Sequence, residues 1–379
     1  MTARGLYTLL FGVLMLVTAL SVGSAGAFLL GASALFACLV SLVCVAAARF
    51  SCRFRQAVQT TETQRGGVCR YMLGIRFRVP APIAPLTLSV ALPNGRQNDF
   101  QLPTHLFHET RNKNDLSCPH VGLFPVGVTK IGFSDCFGLF QLHMHIRTPL
   151  PQLCVLPQPK KAEPLAFSPG EGESNAAQRA QADHSTPEDI RAWQDGDELK
   201  RVHWKLSARR QSLMVHTYET PQRPDALVLL NRSVPEGPLR LLTIDTLCEA
   251  CAGIIQALLE AGRFTRLPLS DSSQGEISGQ NTQALPQILR ALAKEHFSCT
   301  EDFSRALWLA AKRTQRTGSI AVLSAELTPD IAEAALALSR MGPHMRFVLV
   351  TDGALDDTHR RLLYLLHTNG VETAHIQAA

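Results

Sequence analysis

Acidic, basic and indole side chains crowd one stretch of this chain, Asp189–Val215, which reads DIRAWQDGDELKRVHWKLSARRQSLMV. Asp189, Asp195, Asp197 and Glu198 stand among Arg191, Lys200, Arg201, Lys205, Arg209 and Arg210, with Trp193 and Trp204 between them. Two chemistries suit these residue types. His203 could act as a general base with Asp197 orienting its ring, although general-base work needs proximity and a tuned pKa, and the spacing fixes neither. Alternatively, the arginines brace the fold, because the planar guanidinium matches a carboxylate with two hydrogen bonds. Two other clusters carry reactive types. His143 and His145 share one face of a strand, with Cys118, His120 and Cys136 nearby in sequence, and zinc accepts such N and S ligands. Their spacings match no common zinc motif. Cys299, His296 and Asp302 are cysteine-hydrolase types, but they lie too close in sequence for a known triad arrangement.

The elements that must hold the first stretch can be read locally. Gly196-Asp197 is turn chemistry, since Gly permits positive φ and Asp bonds nearby backbone. Val202, Trp204, Leu206 and Ala208 then alternate with Arg201, His203, Lys205 and Ser207, which fits an extended segment with one buried face. On this reading Trp204 is buried and structural. Arg209 pairs with Asp195 or Asp197 across the turn, and His203 lies on the opposite, polar face.

The stretch resembles the domain of unknown function 58 family. The hallmark is the Gly196-Asp197 turn, the basic pair Lys200-Arg201, Trp204, and Ala208-Arg209, with Arg191 upstream. Asp135-Cys136-Phe137-Gly138-Leu139-Phe140 resembles the Asp-x-Phe-Gly-Leu-Phe segment found ahead of that motif. Gly138 there permits a bend, with Phe137, Leu139 and Phe140 as apolar anchors. The resemblance implies a bacterial, membrane-anchored protein with a von Willebrand factor A-like domain. It also implies partners: a MoxR-type AAA+ ATPase and a transglutaminase-like membrane protein, in assembly of an envelope complex. The usual metal positions of that domain fall on Asn231, Ser233 and Pro235, with Asp352 as a remnant ligand or a helix N-cap. Magnesium needs hard oxygen ligands and usually a carboxylate, so the resemblance implies a lost metal site and no cofactor. The expectation is a non-enzymatic scaffold or interaction protein. The alternative is an uncharacterised hydrolase or metal-dependent enzyme using residues 189–215 or the His/Cys cluster.

Two uncharged apolar runs open the chain, Leu6–Val22 and Ala27–Ala48, separated by Gly23-Ser24-Ala25-Gly26. The second is long enough to span a bilayer and the first is marginal, so a transmembrane helical hairpin over residues 1–50 is expected. Ala25-Gly26-Ala27 also suits a signal-peptide cleavage site. Residues 49–78 hold seven Arg and one Glu, a surplus larger than the +5 of the whole chain. Basic flanks stay in the cytoplasm, which places both termini and the bulk of the chain there in a multi-pass cell-membrane protein. The rest is near neutral, without the basic stripe of a nucleic-acid binder. The ten cysteines read as scattered, with no Cys-x-x-Cys pair, and reduced thiols are the default in the cytoplasm.

Residues 66–159 alternate short strand-like runs with Pro, Asn and Gly, as in Tyr71–Val79, Leu86–Leu92, Val121–Phe133 and Leu139–Ile146, which predicts a small β-sandwich. Residues 160–186 read as a linker. Residues 187–379 carry the signature and then an alternation of elements. Strands are expected at Ala226–Leu230, Phe264–Leu269, Ile320–Leu323, Arg346–Thr351 and Val371–Ile376. Helices are expected at Leu241–Gly262, Leu285–Lys294, Phe303–Arg313, Pro329–Arg340 and Asp356–Thr368. That order predicts an α/β fold with a doubly wound parallel sheet.

Overall fold

The structure, a computed structural model, describes residues 2–79, 82–103, 110–160, 189–193, 202–217, 225–269, 275–298, 302–311 and 317–378. It divides into two compact units, Met1–Leu156 and Pro157–Ala379. The stretch read as a linker, apart from Lys160, lies outside the described residues.

The first unit opens with α1 (Ala3–Val22) and α2 (Ala25–Ser51), both long and apolar enough to cross a membrane. Gly23 closes α1 with φ 68°, a value that favours glycine, and its N–H bonds to the Ala19 carbonyl. Ser24 caps α2 by accepting from the Ala27 N–H. The helices pack against each other. A Cβ on Gly31 would lie 2.9 Å from the Gly12 carbonyl oxygen, so the close approach needs glycine there.

Strand β1 (Cys52–Val58) begins at the residue after α2. It pairs with β3 (Val68–Phe77), which pairs with β6 (Thr110–Ser117), giving a three-stranded antiparallel sheet. A four-stranded antiparallel sheet orders β5 (Gln97–Leu102), β4 (Leu86–Ala91), β8 (Gly127–Ser134) and β9 (Gln141–His145). A small third sheet orders β2 (Glu62–Gln64), β10 (Gln152–Leu156) and β7 (Gly122–Pro125). The expected single strand Val121–Phe133 is therefore two strands in different sheets, parted at Val126. One core gathers Tyr71, Ile75, Leu88, Ile131 and Phe133 with Val45 and Ala48 from the end of α2. The apolar helix thus ends inside the β core and not beside it.

In the second unit, six strands form one sheet: β13 (Asp225–Leu230), β14 (Thr265–Pro268), β15 (Glu276–Gly279), β16 (Thr317–Ser324), β17 (His344–Thr351) and β18 (Glu372–Gln377). Their order is β15-β14-β13-β16-β17-β18, parallel throughout except for the antiparallel edge strand β15. β16 is buried along its whole length and β13 along nearly all of it, as expected of strands covered on both faces. Helices α6 (Phe303–Ala311), α7 (Pro329–Arg340) and α8 (Asp357–Thr368) share a core with Leu227, Leu229, Ile320, Val322, Phe347 and Leu349. Alternate residues of those strands point the other way. α4 (Arg240–Glu260) packs on the strands, and α5 (Leu285–Lys294) packs on α4. α4 is also long and apolar enough to cross a membrane, but 67% of its most apolar window is buried within this unit. Its role is that of a core helix.

Candidate functional site

The signature stretch folds as a ribbon with a helix set into it. β11 (Asp189–Ala192) pairs antiparallel with β12 (Met214–Thr217), placing Arg191 opposite Val215. These two strands form a sheet of their own. Between them lies α3 (Trp204–Arg210). The Trp193 N–H donates to the Leu213 carbonyl (2.8 Å), the His203 N–H to the Met214 carbonyl (2.8 Å), and Val202 bridges Val215. Ser207 is the pin of the module. Its buried hydroxyl accepts from the Met214 N–H at 2.8 Å and donates to the His203 carbonyl at 3.0 Å. Gln211 closes α3 in the left-handed region with φ 53°.

This geometry corrects the extended reading. His203 is the N-cap of α3, and its Nδ1 accepts from the Leu206 N–H at 3.1 Å. The cap turns the chain into a helix at the point where a short apolar–polar alternation suggests a strand. Eight alternating positions are too few to separate the two periods, and among the described residues of this run only Val202 and Ser207 are buried. Trp204 is 64% exposed, so it is not the buried anchor expected. Lys205, Ala208, Arg209 and Arg210 are exposed on the same seven-residue helix. Gly196, Asp197, Lys200 and Arg201 lie outside the described residues, as do the Asp195 and Asp197 partners expected for Arg209. The signals missed were Ser207 and the capping role of His203. A histidine three residues before a main-chain N–H of a helix-forming run is a weak cap signal.

The carboxyl edge of the six-stranded sheet carries a second group of the expected residues. Between β13 and β16 the chain leaves in opposite directions, which in open α/β sheets marks the ligand crevice. Asn231 follows β13 and is fully buried. Its Nδ2 donates to the Ser324 hydroxyl (2.8 Å), and its Oδ1 accepts from the Ser233 N–H (2.9 Å). The Ser324 hydroxyl in turn donates to the Glu326 carbonyl. Asn231 therefore ties the end of β13 to the end of β16 through Nδ2, while Oδ1 holds the turn of its own loop. Buried Ser233 makes an isolated bridge to Ser298. Asp352 is exposed, with its carboxylate beside Gly237 of the loop after β13. It does not cap a helix; Asp356 does, at the start of α8. Asn231, Ser233 and Asp352 thus share one edge of the sheet.

The reactive clusters are dispersed. Cys118 is buried in the β core beside Cys69. Cys136 is exposed in the loop before β9, and His143 and His145 lie on the exposed face of β9 itself. Among the described residues no group of three His, Cys, Asp or Glu side chains is placed to hold a metal ion. Asp302 opens α6, accepting from the Ser304 hydroxyl and the Arg305 N–H, and those bonds hold its carboxyl below the usual range. Cys299 lies outside the described residues.

The impression of scattered cysteines also needs correction. Cys248-Glu249-Ala250-Cys251 is a Cys-x-x-Cys spacing, in the middle of α4. Reactive pairs of this spacing need a lowered thiol pKa. Here burial pushes Cys251 up to about 12 and Cys248 well above its ordinary value, so both are inert core thiols.

The Asp135–Phe140 segment is a latch. Buried Asp135, 3% exposed, accepts from the Phe137 N–H (3.1 Å) and the Phe140 N–H (2.8 Å). Gly138 takes φ 69°. The carbonyls so presented hold the start of α1. The Thr2 hydroxyl donates to the Gly138 carbonyl (2.6 Å), and the Thr2 N–H donates to the Leu139 carbonyl (3.1 Å). Leu139 is buried and Phe140 packs on the core, but Phe137 is 73% exposed and anchors nothing.

Residues 189–352 match the model of a family described as "Protein of unknown function DUF58", which supports the resemblance carried by the signature. No curated protein matches the chain. Among solved structures, the sporulation control protein Spo0M from Bacillus subtilis is 12% identical, with a TM-score of 0.17 over 38% of this chain and 58% of that one. Cwp6 from Clostridium difficile is 9% identical, with a TM-score of 0.19 over 85% of this chain and 49% of that one. The chain spans about half the length of these structures, and a similarity this slight does not establish a shared fold.

Proposed function

We propose, starting from a chain whose residues 189–352 match the DUF58 family and whose first two helices can cross a membrane, that it is a membrane-anchored, non-enzymatic scaffold. It presents a von Willebrand A-like domain to cytoplasmic protein partners. The observation that carries the reading is the exposed face of α3. Trp204 stands out to solvent with Lys205, Arg209 and Arg210, on a helix pinned by Ser207. Tryptophan and arginine dominate interface hot spots, and a rigid mount lowers the entropy cost of binding.

Three further features support parts of the reading. The doubly wound order of the six-stranded sheet agrees with the fold implied by the resemblance. The commitment of Asn231 to Ser324 and Ser233 agrees with a metal site given up for a strand-to-strand tie. The arginine surplus after α2 agrees with a cytoplasmic bulk and cytoplasmic termini. A MoxR-type AAA+ ATPase and a transglutaminase-like membrane protein are the partner types proposed.

Affinity capture of the full chain from detergent-solubilised membranes tests the proposal. A stoichiometric protein partner lost on Trp204→Ala or Arg209→Ala, with unfolding unchanged, is the expected result. A hydrolytic or metal-dependent activity of the purified chain, abolished by His203→Ala with the fold intact, would instead establish the enzyme.

A further inference from the structure

We propose that the basin between the end of α2 and the edge strand β9 is a binding site for the phosphate ester of an anionic phospholipid head group. The basin has a volume of about 490 Å³ and is lined by Arg49, Phe54, His143, His145, Arg147 and Thr148, among others. That volume falls in the range of ligand clefts, about 300–1,000 Å³.

The chemistry of the lining selects an anion. Arg49 and Arg147 supply two guanidinium groups, and no carboxylate lines the basin. Neither arginine has an ion-pair partner among the described residues. Arg49 lies in the last turn of α2, where the helix end contributes roughly half a negative charge. Two full positive charges outweigh it. His143 is held below its ordinary range by burial first, then by Lys130 and His145. β9 is an edge strand, so backbone groups on its free side also face outward. Arginine forks and such N–H groups are the usual partners of phosphate oxygens.

Position selects the lipid. α2 is the apolar helix that ends at Ser51, and Arg49 stands two residues before that end. Its neighbour Phe50 is 85% exposed, with the Arg49 guanidinium 5.9 Å from the ring centroid. An exposed aromatic beside a cation at the end of an apolar helix suits the head-group level of a bilayer. A phosphodiester there meets Arg49 and Arg147 while its acyl chains run along α2. A merely basic membrane flank would treat every arginine alike, whereas a site favours those that line it.

The inference rests on the membrane reading above, and the experiment separates the two. The full chain is first floated with phosphatidylcholine vesicles; failure to float with any vesicle overturns the membrane reading and the site with it. Native mass spectrometry of the full chain in detergent then follows the titration of phosphatidylglycerol against phosphatidylcholine. One phosphatidylglycerol should be retained in preference. Arg147→Gln should weaken it about fivefold, and Arg49→Gln with Arg147→Gln about 25-fold, from about 1 kcal/mol per basic residue at a membrane surface. Arg53→Gln with Arg55→Gln, exposed positions on β1 outside the lining, should change it less than twofold. Equal losses from the two pairs would overturn the site in favour of a diffuse basic flank. Displacement by millimolar inorganic phosphate or glycerol phosphate, without preference between the lipids, would overturn the lipid assignment in favour of a soluble phosphate ester.

Discussion

Replacing Asp135 with alanine should free the start of α1 from the β core. Asp135 is a buried carboxylate whose two oxygens accept the Phe137 and Phe140 N–H groups at 3.1 and 2.8 Å. Hydrogen bonds to a charged group are worth about 1.5–3 kcal/mol each. Phe137 is exposed, so water can take over its N–H, and that bond counts at the low end. Phe140 packs on the core and its N–H loses more. The local cost is therefore about 3–4.5 kcal/mol. A control comes from the same unit: Asp115 pairs with Arg70 at 3.1 Å, with both side chains more than half exposed, and such pairs are worth about 0–1 kcal/mol. The assay is hydrogen exchange of the full chain in detergent, which reads local opening free energies. The Thr2 N–H is held by the Leu139 carbonyl and the Gly5 N–H by the Thr2 hydroxyl. In Asp135→Ala both amides should exchange about 150–1,500-fold faster, from about 1.4 kcal/mol per factor of ten. In Asp115→Ala they should not change. If Asp135→Ala leaves the Thr2 and Gly5 amides as protected as wild type, the carboxylate does not hold the latch and the reasoning fails.

Trp204→Ala and Arg209→Ala should shift unfolding by no more than about 0.5 kcal/mol, since both are exposed, whereas Ser207→Ala should cost about 1–3 kcal/mol by leaving the buried Met214 N–H unpaired; the reverse ranking in a denaturant titration would restore a buried anchor. Gly31→Leu should separate α1 from α2, because even a Cβ would lie 2.9 Å from the Gly12 carbonyl oxygen, and a disulfide-trapping yield between engineered cysteines equal to the parent's would contradict this. Asn231→Asp replaces the donor to Ser324 with a buried charge and should destabilise the second unit by about 3–5 kcal/mol at neutral pH; a variant that melts like the parent would show that the tie carries no stability. Burial first, then the charge of His359, holds His375 below its ordinary value of 6.5. The unfolded chain then binds more protons, so this contribution is full above about pH 6.5 and is lost as pH falls through the lower folded-state value. His375→Gln should flatten the acid side of the stability profile, and an unchanged slope below pH 6.5 would remove His375 as its source.

Legibility followed burial. The strands and helices from Ala226 to Ile376 were readable because each apolar run was bounded by its own stop, such as Gly262 after α4 or Pro329 at the start of α7. The antiparallel edge strand β15, with a single strong apolar residue at Ile277, gave no such signal. β5 and β6 were missed for the same reason: Gln97–Leu102 and Thr110–Ser117 are polar and pair through backbone, which leaves little trace in side-chain type. The break at Val126 could not be seen inside a continuous apolar run. In the signature, residue types were recognisable but their placement was not. The His203 cap and the Ser207 pin act through main-chain groups, and an eight-residue alternation does not exclude a helix. The basin at Arg49 and Arg147 joins residues nearly a hundred positions apart, a proximity that no local pattern encodes.

The step from Ser51 to Cys52 has a mechanical consequence. α2 passes into β1 with no intervening residue, and Val45 and Ala48 are already part of the β core. Helix and sheet therefore move as one lever with no hinge at the bilayer surface. Twenty-seven residues of α-helix are about 40 Å long, against about 30 Å of hydrocarbon, so about 10 Å is clamped beyond the hydrocarbon. A 10° change of tilt swings the end of such a lever by about 7 Å. Membranes of different thickness impose different tilts on their helices. With α2 set across a bilayer as proposed above, the β unit must follow that rotation, and bilayer thickness becomes a coordinate of its orientation.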